Sequence, residues 1–145
     1  MARHEGLFNA VMSGHRKEVE TIVQAELARG GDPVSLLTES MIPAMRELGD
    51  RFTRNEVYVP QMLIGARAMQ TGLNILEPLV AARGHKPLGK ICIGTVRGDQ
   101  HDIGKNLVAM MLKGAGFEVA DLGVNVDVAK FEKAVSDGAQ AVLLS

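Results

Sequence analysis

The sequence predicts a protein of the α plus α/β class, in which an N-terminal four-helix bundle is followed by a doubly wound parallel sheet. Over residues 14–83, apolar residues recur at the spacing of amphipathic helices, whereas short apolar strands alternate with helical segments beyond residue 89. A stretch rich in turn residues separates the two patterns. We therefore expect a helical bundle over 1–84, a linker over 85–89 and an α/β domain over 90–145.

The helical part carries recognisable start signals and two internal prolines. The pair Asp32–Pro33 is typical of a helix start, because an aspartate caps free N–H groups and proline suits the first turn. The pair Val59–Pro60 predicts the opening of a third helix, which carries apolar residues at helical spacing. Pro43 and Pro78 lie inside helical patterns, and we expect each to bend or end its helix.

The α/β part reads as strand, helix, strand, helix, strand. We predict strands over 91–96, 117–122 and 141–144, a helix over 105–113, and a second helix capped by Asp127. This order is that of a flavodoxin-like sheet, whose ligands bind beyond the carboxyl ends of the strands. Three strands make about half of such a sheet. We therefore expect the domain to be truncated after its third strand, with an open apolar edge.

Composition excludes several classes of function. The chain has 145 residues with 16 basic and 17 acidic side chains, and only 3% of its residues are aromatic, which disfavours nucleic acids and anionic membranes as partners. No apolar run approaches the roughly 20 residues that span a bilayer. The one cysteine, Cys92, falls inside a predicted strand and is expected to be a buried, inert thiol. We expect a cytoplasmic protein.

The most informative segment is the predicted turn between the first strand and the next helix, residues 94–106. It places His101 in a polar cluster two residues after Asp99, at the sheet edge where ligands bind. A neutral imidazole there can bind a metal while Asp99 accepts the proton of the other ring nitrogen. Glycines within the segment would let a bulky planar ligand approach the backbone, although sharp turns also require glycine.

Other interpretations of the segment are weaker. Gly98 and Gly104 are separated by five residues rather than the four of a phosphate-binding loop, and Asn106 stands where a hydroxyl should meet magnesium. A metal hydrolase needs three or more protein ligands, and the other histidines show no matching spacing. A lone histidine in a turn usually has a structural role, and a purely structural role is therefore the remaining alternative for His101.

The order of residues 99–104 resembles the D-x-H-x-x-G signature of cobalamin-binding domains. The surrounding residues, together with Asp121, Leu122, Gly123 and Val124, resemble the subgroup that includes methionine synthase and the corrinoid proteins of methanol and methylamine methyltransferase systems. A second signature resembles the helical cap that precedes this domain in the same subgroup. It consists of Met45, Gly49, Phe52, Tyr58, Pro60 and Gln61.

This resemblance implies a cobalamin cofactor bound with its own base displaced and with His101 as the lower axial ligand of cobalt. Asp99 would hydrogen-bond the other imidazole nitrogen, and Tyr58 and Met62 would lie over the upper face of the corrin. The remaining cofactor-binding residues that it implies are Gly94, Thr95, Gly98, Gln100, Asp102, Ile103, Gly104 and Ser145. Ser145 matches the serine of the family's S-x-L motif, and the later glycines of the tail pocket are absent.

The function implied is that of a corrinoid methyl carrier, a subunit of a methyltransferase system rather than a complete enzyme. Its partners would be a substrate-specific methyltransferase, a second methyltransferase with a pterin or thiol acceptor, and by extension a reductive activase. The alternative is a cobalamin-dependent sensor or regulator, which the lack of tryptophan and of a basic DNA-reading segment disfavours. A domain that keeps the fold without a cofactor is a third alternative, which the presence of both Asp99 and His101 disfavours.

Overall fold

The computed structural model describes residues 2–145, which divide into two compact units. The first unit extends to His85 and is helical, and the second begins at Lys86 and holds the sheet.

The helical unit contains helices that pack on one another through apolar faces. Their bounds are α1 Glu5–Ser13, α2 Arg16–Ala28, α3 Pro33–Ser35, a π-helical segment Leu36–Met41, α4 Ile42–Thr53 and α5 Val59–Ala82. The core includes Leu7, Val23, Met41, Leu48 and Leu76, none more than 1% exposed. Within residues 2–145, no helix combines the length and apolar character needed to cross a membrane.

Local signals predicted the start of α3 correctly, and neither internal proline ends its helix. Asp32 accepts hydrogen bonds from the backbone N–H groups of the next helical turn, and Pro33 occupies the first helical position. Pro78 does not end α5, which continues to Ala82. The backbone is π-helical over Leu36–Met41 and α-helical again from Ile42, and the chain stays helical through Pro43, which supplies no N–H.

The second unit is a three-stranded parallel sheet, as predicted. Its elements are β1 Lys90–Gly94, α6 Ile103–Gly114, β2 Glu118–Asp121, α7 Val128–Ser136 and β3 Ala141–Leu144. The strand order is β2-β1-β3, with Ile91 opposite Val119 on one side and Ala141 on the other. The first two strands are shorter than expected. Val96, the last residue of the predicted first strand, lies beyond β1 and makes only an isolated bridge to Val126.

Helix α7 packs on β1 through only some of its apolar residues. In α7, Phe131 and Ala134 are buried against β1, whereas Val128 and Val135 are 71% and 50% exposed. Successive helical residues are rotated by about 100°, so Val135 lies well off the stripe that Ala134 occupies. Helix α7 is therefore anchored by one phenylalanine and small residues rather than by a valine stripe.

Candidate functional site

The predicted site segment forms the loop between β1 and α6, at the carboxyl edge of the sheet. Thr95 is fully buried, and its hydroxyl donates a 2.6 Å hydrogen bond to the carbonyl oxygen of His101. The loop therefore folds back on its own first residue. This contact brings His101 to the end of β1, where open parallel sheets bind their ligands.

Asp99 and His101 form a hydrogen-bonded pair on the surface of this loop. Oδ1 of Asp99 accepts the backbone N–H of His101 at 2.9 Å and lies 2.5 Å from Nδ1 of the same residue. An ionised carboxylate can only accept, so Nδ1 carries the ring proton and Nε2 of the neutral imidazole holds a lone pair. The His101 side chain is 93% exposed, which leaves that lone pair accessible.

The two groups shift each other's proton affinity. The backbone N–H of His101, and then its ring, hold the pKa of Asp99 below its ordinary value. In return, the hydrogen bond and negative charge of Asp99 raise the pKa of His101 above its ordinary value. The carboxylate therefore stays ionised at neutral pH and keeps the ring proton on Nδ1.

A groove of about 450 Å³ opens beside His101. It is lined by Ile93, His101, Gly104, Lys105, Val108, Leu143, Leu144 and Ser145. A Cβ atom added at Gly98 or Gly104 would meet no heavy atom within 4 Å, so both glycines leave open space around the loop. The groove therefore combines one exposed imidazole with apolar walls and uncovered backbone.

These residues fit a metal that arrives with its own macrocycle better than a free ion. Within residues 2–145, no group of three or more His, Cys, Asp or Glu side chains is arranged to hold a metal. A single imidazole suffices only where other atoms fill the remaining coordination positions, as in a porphyrin or corrin. Ile103, 83% exposed at the start of α6, adds apolar surface next to that imidazole.

Most of the predicted site residues come together, but some occupy other surroundings. Asp102 is the N-cap residue of α6, Gln100 is exposed beside it, and Ser145 exchanges backbone hydrogen bonds with the end of β1. A Cβ at Gly94 would lie 3.0 Å from the Phe131 ring, so this glycine faces the core of the unit. Thr95 is also buried, and it contributes to the site through the hydrogen bond from its hydroxyl to the carbonyl oxygen of His101.

The two predicted cap residues belong to the helical unit. Tyr58 precedes α5 as its N-cap and is 63% exposed. Met62 is only 5% exposed and packs inside the helical unit. Their role toward a cofactor stays a prediction.

Two features of the site were not foreseen. Lys105 is buried, and its Nζ lies 2.8 Å from both carboxylate oxygens of Asp121 and 2.7 Å from Oδ1 of Asn106. Asn125 has a positive φ of 52° and hydrogen-bonds the site loop. The sequence signal for the burial of Lys105 was its place within the apolar stripe of α6. The signal for the conformation of Asn125 was its place in a turn, because asparagine tolerates the left-handed region.

Comparison with known proteins identifies the family. Residues 3–77 and residues 89–145 match two family models, each described as a B12 binding domain. The trimethylamine corrinoid protein of Methanosarcina barkeri is 39% identical over 120 residues, which cover 81% of this chain and 55% of that relative. The dimethylamine corrinoid protein 3 of Methanosarcina acetivorans is 37% identical over an alignment of 150 residues, covering 100% of this chain and 70% of the relative.

Solved structures agree with this assignment. A chain of the methanol:cobalamin methyltransferase complex MtaBC from Methanosarcina barkeri superposes with a TM-score of 0.83 at 27% identity, covering 92% of this chain and 51% of that one. A cobalamin-binding protein from Desulfitobacterium hafniense gives a TM-score of 0.70 at 26% identity, covering 97% of this chain and 66% of that one. The chain therefore belongs to the family of B12-binding corrinoid proteins, and its cofactor is cobalamin. It spans about half the length of several curated relatives that it matches.

Proposed function

We propose that this chain carries a methyl group on cobalamin between partner methyltransferases, with Nε2 of His101 as the lower axial ligand of cobalt in place of the cofactor's own base. The observation that carries the proposal is the Asp99–His101 pair. It leaves Nε2 unprotonated in the neutral ring and 93% of the side chain exposed at the groove. When bound, cobalamin would supply a cobalt centre that accepts a methyl group from one partner and releases it to another.

The residues of the site loop divide the work of holding such a cofactor. Asp99 orients the imidazole and fixes its tautomer, as carboxylates do for metal-ligating histidines. Gly98 and Gly104 leave the backbone uncovered, so a flat macrocycle can approach the loop closely. The free N–H groups at the start of α6, which follows Asp102, suit the phosphate of the cofactor's tail.

The helical unit would act as the cap. Tyr58, exposed at the start of α5, presents an aromatic side chain that would lie over the upper face of the corrin and keep solvent from it. Met62 is assigned beside it, and its burial implies that it would support the cap by packing rather than by exposed contact.

The partners of the proposed carrier are a substrate-specific methyltransferase and an acceptor methyltransferase. This part rests on the names of the relatives, which include trimethylamine and dimethylamine corrinoid proteins, and on the methanol:cobalamin methyltransferase complex among the structural neighbours. The methyl donor is set by the partner's active site rather than by residues of this chain. A simple methylated amine or methanol is the class that these relatives indicate.

The proposal is tested by retention of hydroxocobalamin on the purified chain after desalting, read by its visible spectrum. We expect the wild type to retain the cofactor with a spectrum that changes in His101→Ala. The matched control is His15→Ala, which removes another exposed imidazole, 65% accessible, from the helical unit. Failure of the wild type to retain cobalamin, or identical spectra for wild type and His101→Ala, would overturn the proposal.

A further inference from the structure

We infer that Asn125 is a positioning residue for His101, and that it clamps the site loop into the geometry that presents Nε2 to a metal. The inference rests on the proposed role of His101. Asn125 lies in the loop between β2 and α7, outside the D-x-H-x-x-G segment, and reaches the site loop through two hydrogen bonds.

The two hydrogen bonds are made by different parts of Asn125. Its side-chain Oδ1 accepts the backbone N–H of Gly98 at 2.8 Å. Its own backbone N–H donates to the carbonyl oxygen of Asp99 at 3.0 Å. Asn125 therefore hydrogen-bonds the site loop on both sides of the peptide that joins Gly98 to Asp99.

The backbone conformation of Asn125 is consistent with these two hydrogen bonds. Asn125 has a φ of 52°, a left-handed conformation that costs free energy for a residue other than glycine and persists where surrounding contacts impose it. Two such contacts flank Asn125: Thr95 donates its N–H to the carbonyl oxygen of Gly123, and Val126 donates its N–H to the carbonyl oxygen of Thr95, both at 2.9 Å. The β2–α7 loop is thus held in register with the start of the site loop.

Asn125 acts on His101 through Asp99. Oδ1 of Asp99 accepts both the backbone N–H and the ring Nδ1 of His101, so the orientation of the imidazole follows the position of Asp99. Asn125 fixes the position of Asp99, because it donates its N–H to the carbonyl oxygen of Asp99 and accepts the N–H of the preceding residue, Gly98. Apart from Asn125, the loop over 96–101 is held by the Thr95 hydroxyl, by backbone bonds of Val96 to Ser145 and Asp99, and by the exposed Arg97–Asp127 pair at 3.6 Å. None of these contacts binds the Gly98 N–H or the Asp99 carbonyl oxygen.

The test uses Asn125→Gly, because glycine keeps the positive φ and the backbone N–H but removes the Oδ1 acceptor. Asn125→Asp is the conservative variant, since aspartate retains an acceptor oxygen and tolerates the left-handed region. The matched control is Asn55→Gly, which replaces the other asparagine of positive φ, 60°, in the helical unit. Any general effect of placing glycine at such a position appears in both glycine variants.

Two readouts use the cobalamin-free chain. Hydrogen exchange of the Gly98 amide is measured by NMR, and the tautomer ratio of the His101 ring is read from its nitrogen chemical shifts at a fixed pH where the ring is neutral. We expect Asn125→Gly to speed exchange of the Gly98 amide and to move the tautomer ratio away from Nδ1–H, each by about two- to tenfold, the range that one hydrogen bond supplies. Asn125→Asp should stay near wild type, and Asn55→Gly should move neither.

A third readout uses cobalamin-loaded protein. In protein labelled with nitrogen-15, the fraction of cobalt(II) whose electron spin resonance lines show the doublet of a protein nitrogen should fall in Asn125→Gly and recover in Asn125→Asp. Wild-type rates and ratios in Asn125→Gly, or equal changes in Asn55→Gly, would overturn the inference. Absence of the protein-nitrogen doublet from the labelled wild type itself would instead defeat the proposed role of His101, so the two failures are distinguishable.

Discussion

Asp121→Asn should destabilise the second unit more than Lys105→Met, although both changes break the same ion pair. The Lys105 side chain is only 2% exposed, whereas the Asp121 side chain is 36% exposed. Removing the carboxylate charge leaves an ammonium buried against amide oxygens. Removing the lysine instead leaves a carboxylate that water can reach and that still accepts the N–H of Gly123.

The magnitudes follow from this asymmetry. Losing one partner of a fully buried pair costs about 3–5 kcal/mol, and access of water to Asp121 lowers our expectation for Asp121→Asn to about 2–3 kcal/mol. We expect about 1 kcal/mol for Lys105→Met, because methionine fills the space of the lysine stem without leaving a buried charge. Lys133→Met is the matched control: Lys133 meets Asp137 at the same 2.8 Å, but on the surface, so its loss should have little effect.

The chain offers its own probe for this measurement. Cys92 is the only cysteine and is fully buried in β1, so its reaction with a thiol reagent along a urea series reports unfolding of the second unit alone.

Burial raises the pKa of Asp121, but hydrogen bonds from Lys105 and Gly123 outweigh this effect and leave the pKa below its ordinary value. The stability that Asp121 adds is therefore complete above pH 3.8, the ordinary value, and is lost as the pH falls through the lowered value. Equal losses for the two variants at neutral pH, or a larger loss for Lys105→Met, would refute the reasoning.

Four further substitutions probe the core of the helical unit, the groove beside His101, the Asp99–His101 pair and the proposed cap residue Tyr58. Gly72→Ala should destabilise the helical unit by about 1 kcal/mol in thermal unfolding, because its Cβ would lie 2.3 Å from the terminal methyl and 2.8 Å from the sulfur of the fully buried Met41, a clash that outweighs the helix preference of alanine; a stabilised variant would contradict this close packing. Gly104→Ala meets no atom within 4 Å and should keep the stability of the chain while lowering cobalamin retention several-fold; unchanged retention would place the cofactor elsewhere. Asp99→Asn should lower the pKa of His101 toward 6.5 in an NMR titration, because the negative charge is lost, and an unmoved titration would remove Asp99 as its cause. Tyr58→Ala should speed removal of the methyl group from methylcobalamin-loaded protein by light and by thiols, and equal rates would exclude Tyr58 from the cap.

What the sequence predicted correctly depends on local rules. The capping by Asp32 and the helix start at Pro33 are decided within one turn, and both are present in the structure. The alternation of strands and helices beyond residue 89 predicted a parallel sheet because such crossovers leave few other topologies. The family was also predicted from its motifs, since the segment around His101 and the helical signature before it occur in the right order.

What the sequence left open depends on contacts between distant residues. The π-helical segment over Leu36–Met41 is a change of backbone hydrogen-bond spacing inside a helical stretch, which the periodicity of apolar residues does not encode. The burial of Lys105 requires Asp121 from another strand, and the clamp by Asn125 requires two loops to meet. Each of these residues, read alone, is typical of an exposed turn or helix surface, so only the fold reveals its role.

The measurement that tests the central claim most directly is electron spin resonance of cobalt(II) cobalamin bound to the chain, prepared once with natural nitrogen and once with protein labelled with nitrogen-15. If His101 binds cobalt, each cobalt line is split into a triplet in the unlabelled sample and into a doublet in the labelled one, because only the protein nitrogen has changed its nuclear spin. His101→Ala should lose the label-dependent splitting. A triplet that persists in the labelled protein would mean that the cofactor's own base, and not His101, occupies the lower position.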